Sequence, residues 1–330
     1  MKKKMGCICC FVLACVLMMS AGIGTAYAAE IESNVQASAA GQSPRERRAL
    51  LLGRTDIVDA VPVANVKEMA NLMKKCTYSG KKMKSVVKKM DLSKAGIEKA
   101  VKETFRDTTW ADVSYIYIAC HGTAGKGKSL RIQIDKQDKG YTPQELRQLL
   151  EKNIKGKVVV LLECCYAGML LPKSKAASQS ALSAASQGND LSDEFIREFI
   201  GTDSSSGSSR QAMPYSAASS STQKDMFFVL CSSRVNEYSF GQMPKSRFSL
   251  ATKYWLVGGG WNKYLENGLK MQADKNLDKK VTLQELYNYS QPRVFKETEG
   301  FTTDDGEEVR QNVCAYPQNS KMVLFGDYND

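Results

Sequence analysis

Residues 161–168 read LLECCYAG: the end of an apolar run, then an acid, two adjacent cysteines and a small-residue turn. The run starts at Lys157 and is nearly continuous Val and Leu through residue 162. Such a composition fits a strand of a parallel sheet covered on both faces. In open sheets of that kind the reactive crevice lies at the carboxyl ends of the strands. The two thiols therefore stand where chemistry is placed.

The same grammar extends to both sides. Upstream, residues 49–53 form an apolar strand, and Val66, Met69, Ala70 and Met73 recur at helical spacing. Residues 84–90 read as a second strand, Ile97, Ala100, Val101 and Phe105 as a second helix, and 113–119 as a strand ending at Cys120-His121-Gly122. Residues 129–135 with the turn Asp138-Lys139-Gly140 predict a small hairpin. Thr142-Pro143-Gln144-Glu145 then opens a helix, with a capping box and proline at its first position, leading into the 157–162 strand. Downstream, residues 171–224 turn rich in Ser and Ala around one amphipathic segment, 191–200, and read as a long mobile linker. A strand over 226–230 and a helix over 250–257 resume the pattern. The fold class is α/β, a central, mostly parallel sheet sandwiched between helices.

The chain has 330 residues, 43% of them hydrophobic, enough for a sizeable core. Its start, MKKK, an apolar stretch to about residue 25 and Ala26-Tyr27-Ala28, reads as a secretory signal over residues 1–28, with a poorly fitting lipobox-like Val12-Leu13-Ala14-Cys15 and an uncleaved membrane anchor as the alternatives. Residues 29–45 read as a flexible leader, and a single domain is expected over 46–330, interrupted by the linker. Removing 1–28 takes away three lysines and no acid, leaving 43 basic against 35 acidic residues, a net of +8. The Lys-rich segment 81–90 has no aromatic interleaving, so a solvated face is expected and no nucleic-acid partner is assigned. Six cysteines remain once the signal is removed, Cys76, Cys120, Cys164, Cys165, Cys231 and Cys314, at spacings that fit no zinc template.

His121 is the only histidine of the chain and follows a predicted parallel strand, as the two cysteines follow another. A thiol attacks well only as thiolate, and an imidazole can take its proton and later return it to a leaving amine. The backbone N–H groups of Gly122 and Cys165 are the candidate oxyanion donors. No cofactor is needed for such chemistry. Buried packing thiols and a surface-turn histidine are the structural alternative.

These residues resemble the caspase-like cysteine peptidases that include clostripain and the metacaspases, whose motifs are His-Gly after one strand and Asp-x-Cys-x-Ser-Gly after the next. Here they read His121-Gly122 and Glu163-Cys164-Cys165-Tyr166-Ala167-Gly168, so Asp is replaced by Glu163 and Ser by Ala167. The resemblance runs in element order from Arg48 to about Gly326. It implies a caspase-like fold, Cys165 as nucleophile, His121 as its partner, and Glu163 as the acid that selects Lys or Arg before the scissile bond of a protein or peptide substrate. It also implies self-cleavage in the linker, for which Lys173, Lys175, Arg210 and Lys224 are the candidates. By strand alternation Cys164 and Cys120 face away from Cys165 and His121 and meet beneath them, as packed thiols or a disulfide. The competing class is an inactive caspase-fold binding module or a calcium-responsive surface-binding protein.

A second constellation is a calcium-binding type of loop. Asp274, Asn276, Asp278, Thr282 and Glu285 fall at positions 1, 3, 5, 9 and 12, with the carbonyl of Lys280 at position 7. Position 6, where glycine makes the sharp turn, is Lys279. Thr282 and Glu285 equally form an ordinary capping box.

Overall fold

The computed structural model describes residues 46–56, 61–125, 128–137, 139–167, 226–234, 237–240, 248–260, 271–302, 306 and 308–326. The expected signal and leader, Gly168, the expected linker and its four candidate cleavage residues (Lys173, Lys175, Arg210 and Lys224) lie outside the described residues.

Five parallel strands and one antiparallel edge strand make the central sheet. In chain order the described elements are β1 (Arg47–Gly53), α1 (Val61–Lys75), β2 (Thr77–Tyr78), β3 (Lys81–Lys82), β4 (Ser85–Met90), α2 (Lys94–Phe105), β5 (Val113–Ala119), β6 (His121–Gly125), β7 (Lys128–Gln133), α3 (Pro143–Asn153), β8 (Lys157–Glu163), β9 (Phe227–Cys231), α4 (Leu250–Gly258), β10 (Val281–Thr282), α5 (Leu283–Glu297), β11 (Cys314–Tyr316) and β12 (Val323–Phe325). The sheet order is β11-β9-β8-β5-β1-β4, and only β11 runs against its neighbour.

Strand alternation divides the core into two layers. Ala49 and Leu51 of β1, Tyr115 and Tyr117 of β5, and Val159 and Leu161 of β8 face one side, where α1, α4 and α5 cover them. Leu50 and Leu52, Ile116 and Ile118, and Val160 and Leu162 face the other, against α2 and α3. Period-two alternation with both faces apolar is why these strands read as unbroken hydrophobic runs. Each fully buried Val, Leu or Ile among them contributes roughly 1.5–3 kcal/mol.

Helix starts follow their sequence signals. Thr142 caps α3 with the reciprocal bonds of a capping box, and Thr282 does the same for α5. α4 differs. Its N-cap residue, Ser249, makes no side-chain capping bond, because its hydroxyl accepts from Asn65 instead.

The predicted hairpin is rearranged. β7 pairs antiparallel with β6, His121 opposite Gln133 and Gly122 opposite Ile132. Among the described residues, Ile132 meets Tyr141 in a single isolated antiparallel bridge. The hairpin thus starts at His121 itself, which places the lone histidine on a strand rather than in a free turn. Among the described residues, no helix is long and apolar enough to cross a membrane.

Candidate active site

β5 and β8 run side by side in register, Ala119 opposite Glu163, and the Cys120 amide donates to the Glu163 carbonyl at 3.1 Å. Two residues further along each chain come His121 and Cys165, brought to neighbouring strand ends. The contact between the two turns is close: a Cβ on Gly122 would lie 1.9 Å from the Cys165 carbonyl oxygen. Only glycine fits there.

Cys165 sits in a tight turn. Tyr166, the next residue, takes a left-handed backbone at φ 58°, a conformation that costs a non-glycine residue about 1–2 kcal/mol. Ser232 and Ser233, just past β9, compensate. Ser232 Oγ receives the Cys164 amide at 3.2 Å, Ser233 Oγ receives the Ala167 amide at 3.1 Å, and both hydroxyls donate to the Cys164 carbonyl at 3.1 Å. The Tyr166 amide donates to the Glu237 carbonyl at 2.9 Å. Ala167, the departure from the family's serine, is fully buried.

The Cys165 thiol lies against the backbone of Ser239. Sγ is 3.8 Å from the Ser239 carbonyl and accepts from the Ser239 amide at 3.4 Å. Burial pushes the thiol up to about 11; the Ser239 backbone opposes this, and Cys164 and Glu163 add to it. His121 is exposed, and among the described residues the hydrogen-bond partners of the Cys165 thiol are the Ser239 backbone groups rather than the imidazole. The structure thus brings the two candidate residues to adjoining strand ends without an imidazole–thiol hydrogen bond.

Cys164 points to the other face, as alternation predicts. It packs in the α2/α3 layer with Cys120. Its hydrogen bond to Cys120 and its burial both push its thiol well up, in keeping with a packing group. All six described cysteines are free thiols, so Cys120 and Cys164 meet without a disulfide.

Glu163 is 5% exposed, on the α1/α4/α5 face, so it is not a solvated strand-end carboxylate. It accepts from Thr252 N at 3.1 Å and Thr252 Oγ1 at 2.8 Å, and also from Ser239 Oγ. Thr252 N belongs to the first turn of α4. Glu163 therefore supplies the anion that the Ser249 cap does not, at the positive end of that helix. Burial raises its pKa, and the hydroxyls of Ser239 and Thr252 work against the rise. Ser239 is itself held by Gln311, whose Nε2 lies 3.3 Å from Ser239 Oγ and 2.7 Å from the Ser232 carbonyl.

Sequence reading missed Ser232, Ser233, Ser239, Thr252 and Gln311. Ser232-Ser233 follows an apolar strand directly, and the rule that located the cysteines, chemistry at strand carboxyl ends, points to that pair as well.

The candidate metal loop lies elsewhere, after α4. Leu277 and Lys279 both take left-handed backbone, φ 60° and 62°, so lysine makes the turn for which glycine was expected. Asp274 is 6% exposed and accepts from the amides of Asp278 at 3.2 Å and Lys279 at 2.9 Å. Burial raises its pKa, the Lys279 amide opposes, and the charges of Asp278 and Glu285 raise it further. Glu285 accepts from Thr282 N at 2.9 Å and Thr282 Oγ1 at 2.8 Å, completing the α5 cap. Among the described residues, no three His, Cys, Asp or Glu side chains converge as a metal-holding group.

A family model described as a caspase domain matches residues 46–254, more than half of the chain. Among solved structures, caspase-1 from Spodoptera frugiperda is similar, at 10% sequence identity and a TM-score of 0.48 over 86% of this chain and 92% of that one. Comparison with curated proteins finds no match.

Proposed function

From the premise that the chain belongs to the caspase-domain family of cysteine peptidases, we propose that it is an endopeptidase acting through Cys165 and His121 and cutting after Lys or Arg. The observation that carries this reading is the close approach of Gly122 to the Cys165 carbonyl, which fixes the two residues at adjoining strand ends. His121 takes the thiol proton, and the thiolate adds to the scissile carbonyl carbon. The amides of Gly122 and Cys165 stabilise the oxyanion. The carbon–nitrogen bond breaks as the imidazolium gives its proton to the departing amine. Water, deprotonated by the imidazole, then attacks the thioester, releasing the acid and restoring the thiol.

At rest the thiol is engaged by Ser239, so substrate entry has to displace that contact and draw the imidazole in. Catalytic hydrogen bonds often tighten only in the substrate complex. The same displacement takes the Ser239 hydroxyl off Glu163 and opens its carboxylate to a cationic side chain. A buried carboxylate whose pKa is raised by desolvation gains most from a cation that shares its burial.

Peptides differing only in the residue before the scissile bond test this, using residues 29–330. Lys or Arg substrates are expected to be cut and Asp substrates spared; faster cleavage after Asp would overturn the assignment of Glu163. Export and self-processing belong to the same reading, supported by the signal-like N-terminus and by basic residues in the Ser/Ala-rich stretch. Active protein should then begin at Ala29 and run as two fragments on a denaturing gel, and a single intact chain in an active preparation would refute self-cleavage.

We also propose calcium at the 274–285 loop. The spacing of Asp274, Asn276, Asp278, Thr282 and Glu285 with the Lys280 carbonyl is what supports a cation, and binding would have to draw together carboxylates that now accept from the loop's own amides. Calcium against chelator is expected to raise the thermal midpoint by a few degrees, about 1 kcal/mol for a chain of this size. No shift, or one that persists in Asp274→Ala, would remove the ion from the account.

One observation favours a second reading, a non-catalytic caspase-fold module: the resting thiol near 11 that bonds to Ser239 rather than to the imidazole. Silence of an intact, reduced chain on the peptide panel, persisting after deliberate cutting in the 171–224 stretch, would select it.

A further inference from the structure

We infer that Asp56, fixed by Arg54 just beyond β1, is the positioning residue that orients the His121 imidazole. This rests on the reading of His121 as the proton carrier.

Arg54 is 3% exposed and forks onto Asp56, Nε to Oδ1 at 2.8 Å and Nη2 to Oδ2. Its remaining nitrogen, Nη1, donates to the carbonyls of Gln133 at 3.3 Å and Asp135 at 3.2 Å. Gln133 is the residue paired with His121 across the β6/β7 hairpin. One buried guanidinium thus ties the Asp56 carboxylate to the strand opposite the histidine, so that acid and imidazole are held on a common frame. The hydrogen bond from Arg54 is the main reason the Asp56 carboxyl lies below the usual range, with the His121 charge among the smaller causes.

The other groups near the histidine do not compete for the role. Asp135 directs its carboxylate at the amides of Lys139 and Gly140, Gln133 is neutral, and Cys120, Cys164 and Cys165 are thiols at rest. Beyond its bonds to Arg54 and to its own amide, the Asp56 carboxylate keeps a lone pair that can accept a ring N–H. Accepting from one ring nitrogen leaves the other as the proton acceptor facing the crevice, and sets an anion beside the imidazolium when it forms.

Because His121 is the only histidine, nitrogen-15 NMR of the full chain labelled at histidine reads this ring alone. In the wild type one neutral tautomer should predominate. In Asp56→Asn the two should mix, and kcat on the best peptide should fall about tenfold to a hundredfold with KM little changed; Asp56→Glu should restore most of both. The Asp56 side chain is 52% exposed but pairs the buried Arg54, so Asp56→Asn should lower the thermal midpoint by a few degrees and still be fully folded at the temperature of the NMR and kinetic measurements. Unchanged tautomer populations and unchanged kcat in Asp56→Asn would overturn the inference. The NMR reads His121 whether or not any peptide is cut: absent wild-type turnover would count against the peptidase reading, while the tautomers would still decide the place of Asp56.

Discussion

Gly122→Ala is expected to abolish peptide cleavage and to lower thermal stability together. The new Cβ would meet the Cys165 carbonyl oxygen at 1.9 Å, its carbon at 2.9 Å and the Cys164 sulfur at 3.3 Å. Two of these atoms are backbone, in a turn whose neighbouring amides at Cys164, Tyr166 and Ala167 are held by Ser232, Glu237 and Ser233, so no side-chain rotation relieves the clash. The turn carrying Cys165 has to move by about an ångström away from β6. Overpacking of this kind costs about 1–3 kcal/mol, and displacement by about an ångström at a reacting group costs on the order of a hundredfold in rate. Melting curves and peptide turnover measure the two effects. A variant with wild-type melting and wild-type turnover would mean that the two turns need not touch.

Glu163→Gln is expected to erase the preference for Lys and Arg. A buried charge partner removed from a cationic side chain costs about 2–5 kcal/mol, which is about thirtyfold to several-thousandfold in kcat/KM for the basic peptides and far less for uncharged ones. The amide also offers only one accepting oxygen, where Thr252 and Ser239 together donate three bonds. Stability should respond to pH in a way that identifies the residue. The folded-state pKa is raised by burial, so the folded chain holds this proton more tightly than the unfolded chain. The contribution from Glu163 is full below the ordinary carboxylate range and is lost as pH rises through the raised folded value. Urea unfolding of the wild type should therefore show a downward trend across that window that Glu163→Gln lacks. Retained Lys/Arg preference in Glu163→Gln would place the specificity acid elsewhere.

The fold was legible wherever a strand is covered on both faces. β5 over Val113–Ala119 and β8 over Lys157–Glu163 read directly because their Val, Ile, Leu and Tyr pack into two helical layers. The helices α3 and α5 read from their capping boxes. What failed was short or small. The β6 strand, HGTAG, has no strand signal of its own, and pairing with β7 rather than local propensity makes it one. The edge strand β11 has three residues, too few for any period to show.

The face taken by Cys164 followed from alternation alone, while the burial of Glu163 did not. The latter depends on Thr252 and Ser239, 89 and 76 residues away in sequence, brought in by α4 and by the segment after β9. A strand-end carboxylate looks solvated until the helix whose N-terminus it caps is known.

The most direct measurement compares Cys165→Ala with Cys164→Ala on the best Lys or Arg peptide. The two thiols are neighbours in sequence but face different surroundings, Cys164 paired with Cys120 in the core and Cys165 at the crevice beside Ser239. Turnover is expected to vanish in Cys165→Ala and to survive within about tenfold in Cys164→Ala, whose cost is a packing vacancy of one sulfur. Turnover that survives in Cys165→Ala, or that is lost only in Cys164→Ala, would contradict the account.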